Sequence, residues 1–317
     1  MQLSFILGAR CNARCGHCAK AYGPTRSEEL DPDLILRLMD EAAEIEDGEP
    51  LAFAITGGEP FVQFATLVEV VAHGARLGAE VSCVTNAYWA TTAAAATEKL
   101  SLLHASGLAR LAVSVSRFHR QFVPLARVHT ALEAAASLGL TTTLKGAVLN
   151  SDLEPGGELA GWKDKLDADD ISIFPILPYL RPGQVLPQQE FYREPGLPED
   201  PCPNEILTID FNAVARSCCS PGHADEFLAV GDAVRTPLAH IERRFREGGK
   251  QRILREQGPI AFARAAIAAG LGGRLRSAYA GPCDLCLHIR SDEQLRRIAE
   301  QMSAAADSMT SEYSHSP

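Results

Sequence analysis

The stretch Leu3-Ser4-Phe5-Ile6-Leu7-Gly8-Ala9-Arg10-Cys11-Asn12-Ala13-Arg14-Cys15-Gly16-His17-Cys18 decides how the rest of the chain is read. Its first five residues are strand-like, and three cysteines follow at once. Beyond them, helix-like and strand-like segments alternate. An amphipathic helix is expected at Glu28–Glu44, a strand at Leu51–Ile55 and a helix at Phe64–Leu77. A strand at Glu80–Thr85 and an alanine-rich helix at Thr92–Ala105 come next, then a strand at Leu111–Val115 and a helix at Leu125–Leu138. The series closes with a strand at Thr141–Val148, a helical piece at Glu158–Lys165 and a strand at Asp170–Phe174. Strands separated by helices of this length are βαβ units and imply a mainly parallel sheet. The expected fold class is therefore α/β, a partial (β/α)6 TIM-like barrel.

Cys11, Cys15 and Cys18 have the spacing C-x3-C-x2-C. Three thiolates in this pattern can hold three irons of a [4Fe–4S] cubane and leave the fourth iron open. The amino and carboxylate groups of S-adenosylmethionine fit the open position. The end of the first strand is where such barrels carry their chemistry. A zinc site with His17 as a fourth ligand is the alternative, but His17 lies next to Cys18 and would bind with awkward geometry. The second strand runs into Thr56-Gly57-Gly58-Glu59-Pro60, a turn whose glycines allow close backbone approach.

With this cysteine loop and this turn, the chain resembles the radical S-adenosylmethionine superfamily over Met1 to about Pro178. The resemblance implies that Gly57, Gly58, Glu59 and Pro60 contact the methionine moiety. It also implies that the ends of later strands help seat the cofactor, through Asn86 beside Thr85, through Ser114 and Ser116, and through Lys145. Relatives with Ser-x-Asp at the fourth strand would have an aspartate where this chain has Ser116. His119 follows that strand and is expected either near substrate or exposed.

Composition narrows the class. The chain has 317 residues, 46% of them apolar and 22% charged, with a formal net charge of -10. That charge argues against a broad nucleic-acid surface. No run of about 18 apolar residues suggests a membrane span. The first residues do not read as a signal peptide, so the cytoplasm is the expected compartment. Nine cysteines in a reducing compartment point to metal rather than disulfides. Only Cys83 stands apart, as an expected buried structural residue.

Prolines crowd the region from Pro175 to Pro203, which reads as an extended linker or a ligand-covering loop. A hairpin is expected after it, with strands Ile206–Asp210 and Val214–Ser217 and Asn212 in the left-handed turn position. A helical region from Pro237 to Leu271, a final helix at Asp292–Ala305 and a disordered tail complete the expectation. This half resembles the shortened auxiliary-cluster ("twitch") domain of some radical enzymes. The match implies a second [4Fe–4S] cluster on Cys202, Cys218, Cys283 and Cys286; a four-thiolate zinc site is the alternative. The expected units are residues 1–180 (barrel), 181–201 (linker), 202–290 (a small C-terminal auxiliary iron–sulfur domain) and 291–317 (helix and tail).

Cys219 is left over in this assignment; the reverse, with Cys219 as ligand and Cys218 left over, is the alternative. Cys218-Cys219-Ser220-Pro221-Gly222, with Asn86-Ala-Tyr-Trp89 and Phe118-His119, resembles radical peptide epimerases, which convert L residues of ribosomal peptides to D. That resemblance implies a precursor peptide as partner, a reductant such as flavodoxin or ferredoxin, and Cys219 as the thiol that returns hydrogen. Peptide crosslinking or thioether formation, dehydrogenation of a small molecule, and a non-catalytic iron–sulfur redox protein are the competing readings.

Overall fold

The computed structural model describes residues 1–45, 50–163, 166–218 and 226–313. Its strands are β1 (Gln2–Ile6), β2 (Ala52–Thr56), β3 (Glu80–Thr85), β4 (Leu108–Val115), β5 (Thr141–Val148), β6 (Asp170–Pro175), β7 (Glu194–Pro195), β8 (Leu207–Ile209), β9 (Val214–Arg216), β10 (Ala229–Asp232) and β11 (Ala278–Tyr279). The helices of the first half are α1 (Pro32–Ala43), α2 (Phe64–Arg76), α3 (Ala93–Ala105), α4 (Leu125–Ser137), α5 (Asn150–Leu153) and α6 (Glu158–Lys163). Those of the second half are α7 (Leu238–Glu247), α8 (Gly249–Glu256), α9 (Ile260–Ala268), α10 (Pro282–Ser291) and α11 (Glu293–Tyr313).

Nine strands form one open sheet in the order β10-β9-β8-β1-β2-β3-β4-β5-β6. From β1 to β6 every neighbouring pair is parallel, which is the α/β partial barrel that the alternation predicts. β1 lies inside this sheet, and Leu3 and Phe5 on one face and Ser4 and Ile6 on the other are all buried, as in a strand covered on both faces. Cys83 is fully buried in β3, as expected.

Helix α1 starts four residues later than the sequence suggests. Asp31 accepts a hydrogen bond from the Asp33 N–H at 3.0 Å, and Pro32 occupies the first turn, so the helix has its cap there. Glu28 is committed elsewhere: its carbonyl accepts the Ala9 N–H at 2.9 Å and holds the segment against the cysteine loop.

The C-terminal hairpin joins the barrel sheet, because β8 pairs parallel with β1, Leu3 opposite Leu207. The left-handed turn residue is Ala213 (φ 60) rather than Asn212. Asp210 replaces the expected asparagine chemistry, since its Oδ1 accepts from the N–H of Asn212 (2.9 Å) and of Val214 (3.1 Å).

The helical region is three helices, interrupted at Gly248 and at Gly258-Pro259, where the backbone turns. Phe227, Leu228, Ile253, Phe262, Leu285 and Leu295 share a second core there. The tail is helical to Tyr313 rather than disordered from Ala305. Leu295, Ala299 and Ser303 recur at i, i+4 and are buried, so α11 has a face to pack despite its polar composition. Residues 314–317 of the expected tail lie outside the described residues. None of the described helices is long and apolar enough to cross a membrane.

Candidate active site

The loop after β1 places Cys11, Cys15 and Cys18 on the wall of a cavity of about 320 Å³, within the range of small-molecule sites. Thr56, Gly57, Gly58, Glu59, Asn86, Ser114 and Lys145 line the same cavity. The ends of β2, β3, β4 and β5 therefore converge on the cysteine loop, as a barrel site requires.

The glycines serve the loop as much as the cavity. A Cβ on Gly58 would lie 2.2 Å from the Arg10 carbonyl oxygen, and one on Gly57 would lie 3.0 Å from that of Gly8. The Gly58 N–H donates to the Gly8 carbonyl at 2.8 Å and the Glu59 N–H to the Arg10 carbonyl at 3.0 Å. Glu59 clamps the next strand end. It accepts from Thr85 Oγ1 at 2.7 Å, from the Asn86 N–H at 2.7 Å and from the Phe61 N–H at 3.2 Å. Burial pushes its carboxyl up to about 7. Asn86 in turn donates to Asn12 Oδ1 at 2.8 Å and approaches Cys11 Sγ at 3.8 Å, so it steadies the first ligand.

Two expected contacts do not reach the cavity. Ser116 is fully buried, and its hydroxyl is engaged with His119 Nδ1 at 2.9 Å. Pro60 is buried at the start of a 3-10 turn, Pro60–Gln63. His119 does reach the cavity, and burial depresses its imidazole to about 4, so it is neutral at neutral pH. Its ring meets that of His17 edge-on at 4.8 Å between centroids.

Sequence reading missed Lys20, Tyr22, Phe174 and Arg181, all of which line the cavity. Lys20 and Tyr22 lie in the loop just past the third cysteine, so proximity to it was a usable signal. Arg181 carried no local signal; folding of the proline-rich segment brings it there.

That segment is a cover. Ile176 and Phe191 are buried in one apolar cluster with Cys11, Cys15 and Tyr22, and Leu180 and Leu186 pack on it. A Cβ on Gly16 would meet Gln184 Oε1 at 2.8 Å, so the cysteine loop is glycine where the cover crosses it.

The donor set fits an iron–sulfur cluster that leaves one iron open. Burial pushes the Cys11 and Cys15 thiols up to about 12, so they become thiolates through the positive charge of bound iron rather than alone. Among the described residues, no three His, Cys, Asp or Glu side chains close around a single metal ion. A tetrahedral zinc with 2.3 Å bonds needs sulfurs about 3.8 Å apart, whereas a cubane holds its thiolates at separate corners.

Cys202, Cys218, Cys283 and Cys286 line a second pocket with Leu228, Leu254 and Arg290. Cys283 and Cys286, three apart in the first turn of α10, share a helix face. The Cys202 N–H donates to the Leu254 carbonyl at 2.8 Å. Burial raises the Cys286 thiol well above its usual range, with the other three thiols adding to the rise. Cys219, the expected hydrogen donor, lies outside the described residues.

Residues 5–144 match the model of the radical SAM superfamily. The matched segment is a radical SAM domain, and the chain that carries it is an enzyme. It is 23% identical over 229 residues to the putative peptide biosynthesis protein YydG of Bacillus subtilis (strain 168), covering 69% of each chain. Its fold is similar to that of anSMEcpe with bound AdoMet and Cp18Cys peptide. That match has a TM-score of 0.53 at 13% identity and covers 80% of this chain and 82% of that one. Against the same protein with AdoMet and Kp18Cys peptide the TM-score is 0.57 at 12% identity, covering 77% and 80%. Radical SAM membership implies a [4Fe–4S] cluster and S-adenosylmethionine, which the loop of Cys11, Cys15 and Cys18 and the cavity beside it suit.

Proposed function

We propose that this enzyme epimerises residues of a ribosomally made peptide from L to D. The observation that carries the reading is the second pocket. It gathers four thiols, enough to ligate one cubane fully, while the neighbour of Cys218 in sequence is a further cysteine. In this reading Cys202, Cys218, Cys283 and Cys286 hold an auxiliary [4Fe–4S] cluster, and Cys219 is free to give up hydrogen. The same reading divides the chain into the barrel (1–180), the cover (181–201), the auxiliary unit (202–290) and the terminal helix with its tail (291–317).

When bound, the cluster and S-adenosylmethionine supply a radical able to take a hydrogen atom from an unactivated carbon. The chain's own residues set up the rest. Asn86 and the Gly57–Glu59 turn fix the cysteine loop, Lys145 and Ser114 line the cavity that would hold the cofactor, and the proline-rich cover would keep water out. After the α-hydrogen of a peptide residue is removed, Cys219 returns hydrogen from the opposite face. The S–H bond breaks and a C–H bond forms. Resetting the resulting thiyl takes one electron and one proton, supplied by an external low-potential donor and solvent.

A peptide has a route to this site. β6 is the edge strand at the barrel end of the sheet, Ile171 and Phe174 on it are exposed, and Phe174 also lines the cavity. An edge strand offers backbone groups to an extended chain. The names of the relatives, a putative peptide biosynthesis protein and a structure with bound peptide, lend support of the same kind.

The test is turnover of a synthetic peptide library in D2O by the anaerobically reconstituted enzyme. A peptide that gains one deuteron at an α-carbon, with its sequence unchanged, is the expected result. A product lighter by two hydrogens overturns epimerisation and favours oxidative crosslinking. 5′-Deoxyadenosine formed only with added small alcohols or sugars favours dehydrogenation.

A further inference from the structure

The proline-rich cover touches the cysteine loop through one residue more than any other. Arg181 donates from its backbone N–H to the Gly16 carbonyl at 3.0 Å and from Nε to the Cys15 carbonyl at 3.1 Å. A second guanidinium nitrogen donates to the Tyr22 carbonyl. These three carbonyls span the loop that carries the second and third cysteines. The guanidinium also lines the cavity, where its charge acts on both Cys11 and Cys15 in the direction that favours their anionic forms. An arginine keeps its charge under all ordinary conditions and presents several donors in a fixed plane, so it can be both tie and charge.

A cluster ligated by three thiolates becomes more negative by one charge when it accepts an electron. Its potential follows net charge, hydrogen bonding and solvent exposure. A fixed cation beside two of the three thiolates favours the reduced form, and the apolar cover around it limits screening by water. We infer that Arg181 sets the reduction potential of the cluster on Cys11, Cys15 and Cys18, raising it so that a one-electron donor such as a reduced flavodoxin can deliver the starting electron. Arg181 is thus a positioning residue. The inference is independent of which substrate the enzyme takes, and it can fail while the epimerase reading stands.

The experiment is a redox titration of the reconstituted full-length chain, followed by electron paramagnetic resonance, for the wild type, Arg181→Lys and Arg181→Gln. The signal that changes when S-adenosylmethionine is added identifies the relevant cluster, and iron content is measured on the same samples. The expected result is a more negative midpoint in Arg181→Gln at unchanged iron. At fixed potential its reduced-to-oxidised ratio should fall about tenfold, which for a one-electron couple is about 59 mV. Arg181→Lys, which keeps the charge, should stay near the wild type. Equal midpoints in all three proteins, or equal shifts in both variants, would overturn the inference. If Arg181→Gln does not retain its iron, the lysine variant decides alone, and a displaced midpoint there contradicts the role of charge.

Discussion

The two cysteine sites of this chain are built in opposite ways. Cys11, Cys15 and Cys18 come from one short loop, held by backbone contacts from the turn after β2 and by the Asn86 side chain after β3 on one side, and by the proline-rich cover on the other. They face a cavity large enough for a small molecule. Cys202, Cys218, Cys283 and Cys286 come from three separate segments; Cys202, Cys218 and Cys286 pack against the apolar core of the C-terminal helices, and Cys283 is exposed at the rim of the same pocket. In the proposed reading the first arrangement leaves a coordination position for a ligand from outside, and the second uses all four thiols on one auxiliary cluster. The difference between the two settings is what assigns turnover to the first site and a structural or electron-passing role to the second in that proposal.

The sharpest way to break this comparison is to remove one cysteine from each site. Cys15→Ala should abolish S-adenosylmethionine cleavage, measured as 5′-deoxyadenosine, and lose about four irons per chain. Its far-ultraviolet circular dichroism should stay unchanged, because the loop lies outside the main core. Cys286→Ala should keep the first cluster, seen as the signal that responds to S-adenosylmethionine. It should lower stability by several kcal/mol, on the order expected for loss of a structural metal ligand, read as a fall in denaturation midpoint. If Cys15→Ala also unfolds the chain, the contrast between the sites is lost.

Smaller effects sharpen the account of the first site. The Glu59 carboxyl is raised to about 7 from an unfolded value near 4.5, so the folded state binds more protons between these values. Its stabilising contribution is complete below about pH 4.5 and is lost as pH rises through about 7. Glu59→Gln should flatten the decline in melting temperature of the metal-free chain between about pH 5 and about pH 8. Asn86→Ala removes the hydrogen bond to Asn12 and the one that Asn86 Oδ1 accepts from the Tyr88 N–H at 3.0 Å, and should cost about 1–2 kcal/mol. Iron should be lost faster to a chelator in this variant, while the fold is kept.

Much of this was legible in the sequence. The βα alternation gave the open parallel sheet, and the cysteine spacing with Gly57-Gly58-Glu59 located the cavity, because these signals are local and periodic. What was hidden depends on contacts far apart in the chain. Nothing in Leu207–Ile209 indicates that it pairs with Leu3–Phe5, yet that pairing joins the hairpin leading to Cys218 to the barrel sheet. Arg181 stands among prolines and acquires meaning only when the segment folds over Gly16. Ser116 shares the alternation of Ser114, but it lies one residue past β4, where the chain turns and the hydroxyl is taken up by His119. Helix α11 was expected only to Ala305, because the residues after it are polar; its packed face runs from Leu295 through Ile298, Ala299 and Met302 to Ser303 and Ala306.

The central claim is that the chain holds two cubanes on seven cysteines and leaves Cys219 unligated. The most direct measurement is the iron and sulfide content of the anaerobically reconstituted wild type and of Cys219→Ala. The account predicts about eight irons and eight sulfides per chain in both. A fall from about eight to about four in the variant would make Cys219 a ligand and contradict its role as hydrogen donor. About four in the wild type would contradict the second cluster itself.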